Sequence, residues 1–195
     1  MTASALPSTE FHPYFGTYLS QVGSGTLDQC LENGRLATKS FFENIPEARH
    51  NLRYAEGKWT PREILAHLID SERMFCYRAL TIARTDDANL PGFDENVFVA
   101  NSKAELRTME DLVDEYTAVR DASIHFFKNL PDETLQRTGM ANEHMLSVRA
   151  AGFIICGHEQ HHRRATPGRC TDLRSLRPKC GLQSILYSSF RLPMP

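Results

Sequence analysis

Four long segments of the chain repeat apolar residues with the period of an α-helix, and this pattern restricts the fold more than any other feature. They span about 26–45, 60–84 and 104–130, with a fourth that begins at 147 and breaks before Pro167. Each segment is long enough to bury one apolar face against its neighbours. Patterns typical of paired strands are nearly absent. The sequence therefore predicts an all-α four-helix bundle followed by an irregular C-terminal tail.

Local signals mark the ends of these helices. The second begins with the sequence TPRE at 60–63, which is a capping box with proline at the first helical position. Pro131 ends the third helix, and Ser147 is a suitable N-cap for the fourth. The loop LPGFDEN at 90–96 is long for a helix connection, and such loops often cover a site. The aromatic-rich segment 11–22 is interpreted as a packed lead-in or a short helix.

Composition disfavours several classes of protein. A length of 195 residues suffices for one domain with a hydrophobic core, and a net charge of −2 argues against nucleic-acid binding through bulk charge. The sequence contains no apolar run long enough to span a membrane and no secretory signal. The five cysteines are widely spaced and form no CxxC pair, which is typical of a reducing compartment. We therefore expect a cytoplasmic protein without nucleic-acid or membrane partners.

Three of the eight histidines lie on the inward faces of the predicted helices. His67 follows Ile64 by three residues and precedes Leu68, and both neighbours belong to the apolar stripe of the second helix. The stripe of the fourth helix advances in steps of three and four along Val148, Ala151, Ile155, His158 and His162. The other histidines have no position that demands a role, and we expect solvent exposure for His12, His50, His125, His144 and His161.

We predict that His67, His158 and His162 bind one divalent transition metal ion. Residues four apart on a helix have Cβ atoms about 5–6 Å apart, so both imidazoles can reach one ion, and a facing helix supplies the third. Three protein ligands leave a coordination position open for water or substrate, and imidazole suits zinc, nickel, iron or copper. A single inward histidine is more often a hydrogen-bonded core residue, but two adjacent buried imidazoles both need partners. Asp70, one turn after His67, is either a group that orients this ring or a solvated acid.

The stretch HEQHH at 158–162 also matches the H-E-x-x-H helix of zinc peptidases, in which the glutamate is the general base. The pattern is short, and the later ligand that such peptidases require is missing. No histidine follows His162, and Asp172 is the lone acid after it. A peptidase is therefore the weaker interpretation of these residues.

Several stretches together resemble the DinB/YfiT-like superfamily of metalloenzymes. The resemblance covers roughly 11–164, and the order and spacing of its pieces make it specific. The matching pieces are YAEGKWT at 54–60, HLIDSER at 67–73, LPGFD at 90–94, EYTAVR at 115–120 and GHEQHH at 157–162.

The resemblance implies a four-helix bundle of up-down-down-up topology, often dimeric, over residues 1–165. It also implies a metal site formed by three histidines, which fall on His67, His158 and His162. Characterised relatives include transferases that use bacillithiol, mycothiol or glutathione, a maleylpyruvate isomerase, and members without a known reaction. We therefore expect a homodimer that binds zinc or nickel and acts on a small molecule.

Three functions are open at this point. The first is a metal-dependent transferase in which the metal coordinates a low-molecular-weight thiol and favours its thiolate form. In that case Arg120 either meets an anionic group of the thiol or forms an ion pair between helices. The second is a hydrolase that uses metal-activated water, and the third is a non-catalytic, stress-associated metal-binding protein. No side chain is assigned as general base or as a thiol-binding residue.

The tail at 166–195 departs from the resemblance. Family members usually continue the fourth helix beyond the second histidine, whereas here the sequence ATPG at 165–168 breaks it. The tail is basic and has no helical stripe. We expect a segment that is disordered or encoded in a different reading frame.

Overall fold

The structure, a computed structural model, describes residues 1–166. Within this range the α-helices are α1 (Gly16–Leu19), α2 (Leu27–Glu43), α3 (Pro61–Arg84), α4 (Glu95–Ser102), α5 (Met109–Lys128), α6 (Asp132–Leu135) and α7 (Val148–Ala165). The strands are β1 (Asn89–Leu90), β2 (Thr138–Ala141) and β3 (His144–Ser147). Short 3₁₀ turns lie at Ala3–Ala5, Ser8–Glu10, Pro13–Phe15, Glu47–Arg49 and Ala104–Leu106.

The four long helices form the predicted bundle. α2 and α3 each pack against both α5 and α7. One apolar cluster lies around Phe127 and Phe153, and a second lies around Leu65, Ile69 and Leu112. None of the helices within residues 1–166 has the length and apolar character needed to cross a membrane. The predicted tail lies outside the described residues from position 167 onward.

Side-chain caps explain where the helices begin. The hydroxyl of Thr60 accepts a hydrogen bond from the Glu63 amide at 3.2 Å, and the Glu63 carboxylate accepts one from the Thr60 amide at 2.7 Å. Ser147 caps α7 in a similar way through the Ala150 amide, at 3.0 Å. The third long helix starts later than predicted, because residues 104–106 form a separate 3₁₀ turn and the extended backbone of Arg107 (φ −103°, ψ 152°) and the Thr108 cap lie between that turn and α5.

A small sheet corrects the prediction of an all-α fold. β2 and β3 pair antiparallel, and β1 adds parallel to β2. Asn142 and Glu143 form the two-residue hairpin turn with φ of 52° and 63°, the conformation that such tight turns require. The loop after the second helix likewise contains α4, whose first turn is capped by Asp94. Elements this short carry too little periodicity to stand out in a sequence.

One buried ion-pair network joins the four long helices. The Arg120 guanidinium of α5 donates hydrogen bonds to Glu72 of α3 at 2.8 and 2.9 Å and to Glu159 of α7 at 2.9 Å. Glu159 also accepts hydrogen bonds from Tyr116 at 2.8 Å and from Thr38 of α2 at 2.9 Å. Arg120 is 1% exposed, so these contacts are desolvated and have no competing water. We call Thr38, Glu72, Tyr116, Arg120 and Glu159 the core network.

Gly34 lets α2 approach the core network closely. A Cβ atom at this position would lie 1.8 Å from Oε1 of Glu159 and 2.9 Å from the Arg120 guanidinium. A side chain is therefore incompatible with the observed positions of these two charged groups. The backbone of α2 also participates, because Arg120 donates a hydrogen bond to the Leu31 carbonyl at 3.2 Å.

Replacing Arg120 by leucine should lower the free energy of unfolding by about 3–5 kcal/mol, because two buried carboxylates lose their counter-charge. Urea denaturation measures this change. Lys39→Ala is the matched control, because it breaks a single ion pair with Glu43 (2.8 Å) near the surface and should cost less than about 1 kcal/mol. Equal losses in the two variants would contradict a stabilising role for the core network.

Gly34→Ala should lower the free energy of unfolding by about 1–3 kcal/mol, because the added methyl group displaces Glu159 and Arg120. In an open helical position the same substitution stabilises by up to about 1 kcal/mol. Gly16→Ala is the control, since a Cβ at Gly16 would meet nothing within 4 Å. Thermal unfolding compares the two variants, and a Gly34→Ala protein more stable than wild type would show that α2 can move away at little cost.

Candidate metal centre

The three predicted histidines come together at one end of the bundle. His67 lies in the second turn of α3, and His158 and His162 lie toward the C-terminal end of α7. Nε2 of His158 lies 3.0 Å from Nε2 of His67 and 3.0 Å from Nε2 of His162. One ring nitrogen from each of the three lies within 4.8 Å of the other two. Helical phase and bundle packing therefore point these imidazoles at one shared position.

All three rings are buried, and burial keeps them neutral. His67 is 3% exposed, and burial lowers its pKa to about 4. The pKa of His158 falls well below its ordinary value through burial first and then through the neighbouring His162 and His67 rings. Burial followed by the proximity of His67 and His161 has the same effect on the pKa of His162. At neutral pH each ring can therefore offer a lone pair to an electrophile without losing a proton.

This spacing fits a transition-metal ion. Tetrahedral zinc with bonds of 2.0–2.1 Å to histidine holds its ligand nitrogens about 3.3 Å apart. The observed separations of 3.0 Å on either side of His158 come close to this value, so small ring rotations would complete the geometry. Three nitrogens occupy one side of the ion and leave at least one position open.

A hydroxyl rather than a carboxylate lies next to the other nitrogen of His67. Oγ of Ser71, one turn along α3, is 3.4 Å from Nδ1 of His67. Asp70 instead lies 3.7 Å from Arg73 in an ion pair. Of the two roles left open for Asp70, the structure favours the acid on the helix flank, because residue 70 points toward Arg73, whereas Ser71 shares the inward face with His67.

A cavity of about 40 Å³ opens beside the three histidines. Its walls come from five separate parts of the chain: the N-terminal segment, the loop before α3, and helices α3, α4 and α7. The lining residues are Tyr14, Thr17, Tyr18, Trp59, His67, Glu95, His158, His161 and His162. We call this space the histidine pocket.

Two aromatic rings flank the histidine cluster. The Tyr18 ring centroid lies 5.2 Å from that of His158, and the Trp59 centroid lies 4.7 Å from that of His67. Tyr18 reaches this position because α1 packs directly on α7 at Gly157, where a Cβ would lie 2.2 Å from the Tyr18 carbonyl oxygen. The glycine that precedes His158 thus allows the predicted lead-in segment to cover the site.

Glu95 and His161 are wall residues whose place in the pocket was not predicted from the sequence. Glu95 enters the pocket from α4, which lies within the loop region predicted to cover a site. His161 was expected in solvent, but it is half-buried, and its ring centroid lies 5.3 Å from that of Tyr18. Burial lowers the pKa of His161. For Glu95 the sequence offered only the preceding Asp94, which can cap a short helix. The position of His161 on α7 does not by itself show that α1 covers its ring.

The glutamate of the H-E-x-x-H pattern is unavailable for catalysis. Glu159 is 2% exposed and is held by Arg120, Tyr116 and Thr38 in the core network. It points toward α2 and α5, whereas the His158 ring points toward His67 of α3, and this arrangement argues against the peptidase interpretation. Arg120 likewise forms the ion pair between helices that was one of its two predicted roles, and it does not line the histidine pocket.

Comparisons with solved structures find the same fold in two proteins from Bacillus subtilis. YfiT, a probable metal-dependent hydrolase with an unusual four-helix bundle topology, matches with a TM-score of 0.65 at 17% identity. The match covers 70% of this chain and 79% of YfiT. The DinB-like protein YjoA matches with a TM-score of 0.50 at 20% identity, over 72% of this chain and 87% of YjoA. At these identities the likeness shows a shared fold alone.

Sequence comparison assigns the family. No curated protein sequence matches the chain significantly. The sequence profile of the DinB superfamily, in contrast, matches residues 31–165, which include all four long helices except the first turn of α2. The matched range also contains the three converging histidines. This chain belongs to the DinB superfamily.

Proposed function

We propose that this protein is a metal-dependent hydrolase that acts on a small molecule at a centre formed by His67, His158 and His162. The observation that carries the proposal is the convergence of three buried, neutral imidazole nitrogens on the wall of an accessible pocket. Core histidines that serve packing alone have no reason to direct three nitrogen atoms at one another. The solved structure of YfiT, described as a probable metal-dependent hydrolase, is consistent with this function.

The donor set fits a divalent transition metal, and we propose zinc or nickel. When bound, such an ion lowers the pKa of a coordinated water and polarises a substrate carbonyl. The protein contributes three neutral ligands, and Ser71 contacts the free nitrogen of His67. Tyr18 and Trp59 exclude bulk water from two sides and restrict the size of the substrate.

A thiol-dependent transferase remains a prediction from the resemblance. The residue suggested for an anionic group of the thiol was Arg120, and its engagement with Glu72 and Glu159 leaves it without a free donor face toward the pocket. Hydrolysis needs only water as the second substrate and no such anion site, so the described pocket favours it. A non-catalytic metal-binding protein would share the ligands but would show no turnover.

Other proposals concern topology and assembly. An up-down-down-up arrangement is supported by contacts along α7. Leu27 packs on Gly152, and Thr38 bonds to Glu159, so α2 and α7 run in the same direction. His67, near the start of α3, meets the end of α7, so these two helices run in opposite directions. The homodimer, the small-molecule substrate, the cytoplasmic location and the absence of nucleic-acid and membrane partners remain predictions from sequence.

Substituting any one of the three histidines by alanine should reduce the bound metal to less than about a tenth of the wild-type content, because two imidazoles hold a divalent ion far more weakly than three. Elemental analysis of the purified proteins measures the metal-to-protein ratio. His125→Ala is the control, because His125 is exposed on α5 and lies outside the histidine pocket. Unchanged metal in His67→Ala, His158→Ala and His162→Ala would refute the centre.

Metal-loaded protein should hydrolyse members of a panel of small esters, amides and lactones without added thiol, and the apoprotein should not. Product formation followed by chromatography checks this. Activity that appears only with a low-molecular-weight thiol would support the transferase instead. An inactive protein that still binds metal through the three histidines would support a non-catalytic role.

The metal-free protein should lose stability as the pH falls from about 7 toward 4. The pKa of His67 is about 4 in the folded protein and ordinary in the unfolded chain, so over this range the unfolded chain binds a proton that the folded protein does not. Each such proton changes the free energy of unfolding by about 1.4 kcal/mol per pH unit. Urea denaturation at several pH values measures how the free energy of unfolding changes with pH. This dependence should correspond to about one proton fewer in His67→Leu than in wild type, and it should be unchanged in His125→Ala.

A further inference from the structure

We propose that the histidine pocket selects substrates that carry a positively charged amine, and that Glu95 is the residue that recognises this group. The inference rests on the proposed metal-dependent hydrolase function and adds a substrate class to it. The observations that carry it are the charge of the pocket walls, the lack of a protein partner for Glu95, and the aromatic rings that surround the pocket.

Glu95 presents a carboxylate that the described protein leaves unpaired. It is the first residue of α4, directly after the Asp94 cap, and it lines the histidine pocket. Burial, followed by the nearby Asp94 charge, raises its pKa. Among residues 1–166 no side chain forms a hydrogen bond or an ion pair with the Glu95 carboxylate. A partly desolvated carboxylate without a counter-charge costs some free energy, and a cationic group on a ligand would offset that cost.

The other walls of the pocket contain no positive side chain. Of the described residues that line it, Glu95 is the acidic one, none is Lys or Arg, and the rest are histidine, tyrosine, tryptophan and threonine. The lining histidines have lowered pKa values and stay neutral. The positive charge of a bound ion would lie at the three histidines, so away from them an anionic group would meet a like charge at Glu95 and no basic side chain among these lining residues.

Glu95 lies outside the group of metal-facing atoms. The set of ligand atoms within 4.8 Å of one another contains His67, His158 and His162 but no carboxylate from the described residues. Glu95 would therefore contact a part of the substrate other than the bond that is cleaved. This separation allows an ammonium group to bind at the carboxylate while a carbonyl group lies at the three histidines.

Aromatic rings near Glu95 suit the same ligand group. Tyr14 and Tyr18 meet edge to face with their ring centroids 5.7 Å apart, and their hydroxyl oxygens are 3.1 Å apart. Trp59 forms another wall and stacks 6.2 Å from the His162 ring. A cation over the face of a tyrosine or tryptophan ring gains about 0.5–2 kcal/mol, and the gain is largest when water is excluded. Away from the three histidines, neutral aromatic walls with one carboxylate thus favour a cationic group over an anionic one.

The test uses three hydroxamates that share one metal-binding group and differ in charge at the far end. Glycine hydroxamate carries an ammonium group, propionohydroxamate a methyl group and the monohydroxamate of malonic acid a carboxylate. Isothermal titration of the metal-loaded full chain measures their dissociation constants. We expect the ammonium compound to bind about tenfold or more tightly than the methyl compound, a difference of about 1.4 kcal/mol, and the carboxylate compound to bind most weakly.

Glu95→Gln removes the charge and keeps the size of the side chain. In this variant the dissociation constants of the methyl and ammonium compounds should become about equal, so that their ratio falls to about one. The affinity of the methyl compound should stay unchanged. Glu110→Gln is the control, because Glu110 is exposed on α5 and does not line the pocket. Circular dichroism and metal content should be equal in all three proteins.

The outcomes separate this inference from the proposed function. If the methyl compound binds to metal-loaded protein and the ammonium compound binds no better, the role of Glu95 is refuted while the metal centre stands. If Glu95→Gln still binds the ammonium compound more tightly than the methyl compound, the role of Glu95 is also refuted. If no hydroxamate binds, or if binding survives in His158→Ala, the metal centre itself fails and the inference fails with it.

Discussion

The ion pairs of Arg120 with Glu72 and Glu159 are the interaction on which the rest of the structure depends. Glu72 lies on α3, five residues after His67, and Glu159 directly follows His158 on α7. A single guanidinium that binds both carboxylates fixes how far α3 and α7 are shifted along each other. That axial register brings His67 to within 3.0 Å of His158. The core network therefore sets the geometry of the candidate metal centre without lining the space in which a ligand would bind.

Close backbone approach provides the second constraint. Gly34 allows α2 to reach the carboxylate of Glu159, and Gly157 allows α1 to lie directly on α7. The first contact holds the ion pairs away from water, and the second brings Tyr18 beside the histidines. Both depend on the missing side chain rather than on a special backbone conformation, since both glycines lie inside helices. Small residues at these two positions thus determine how tightly the core network and the pocket are enclosed.

Neighbouring polar residues of α7 have different partners. Oε2 of Glu159 accepts hydrogen bonds from Tyr116 and Arg120 of α5, and this engagement argues against a role as general base in the H-E-x-x-H pattern. The His158 ring instead faces His67 of α3, and burial keeps His158 and His162 neutral and able to coordinate an electrophile. The pocket beside them has aromatic walls and a carboxylate from α4. This division explains how a helix with a peptidase-like motif can serve a different chemistry.

The sequence by itself determined the long helices and the three inward histidines, because helical period and capping are local properties that can be read within one segment. It also determined the family, through the order and spacing of several short motifs. The limits of α3 and α7 and the inward phase of His67, His158 and His162 followed from that period. Only the tertiary structure decided the partners of Arg120, the hairpin of β2 and β3, and the entry of Glu95 into the pocket. These features depend on contacts between segments distant in the chain, or on elements too short to show a period. The physical reason is that the sequence of a helix determines which of its faces is buried. Which side chains contact that face depends on how the other segments pack.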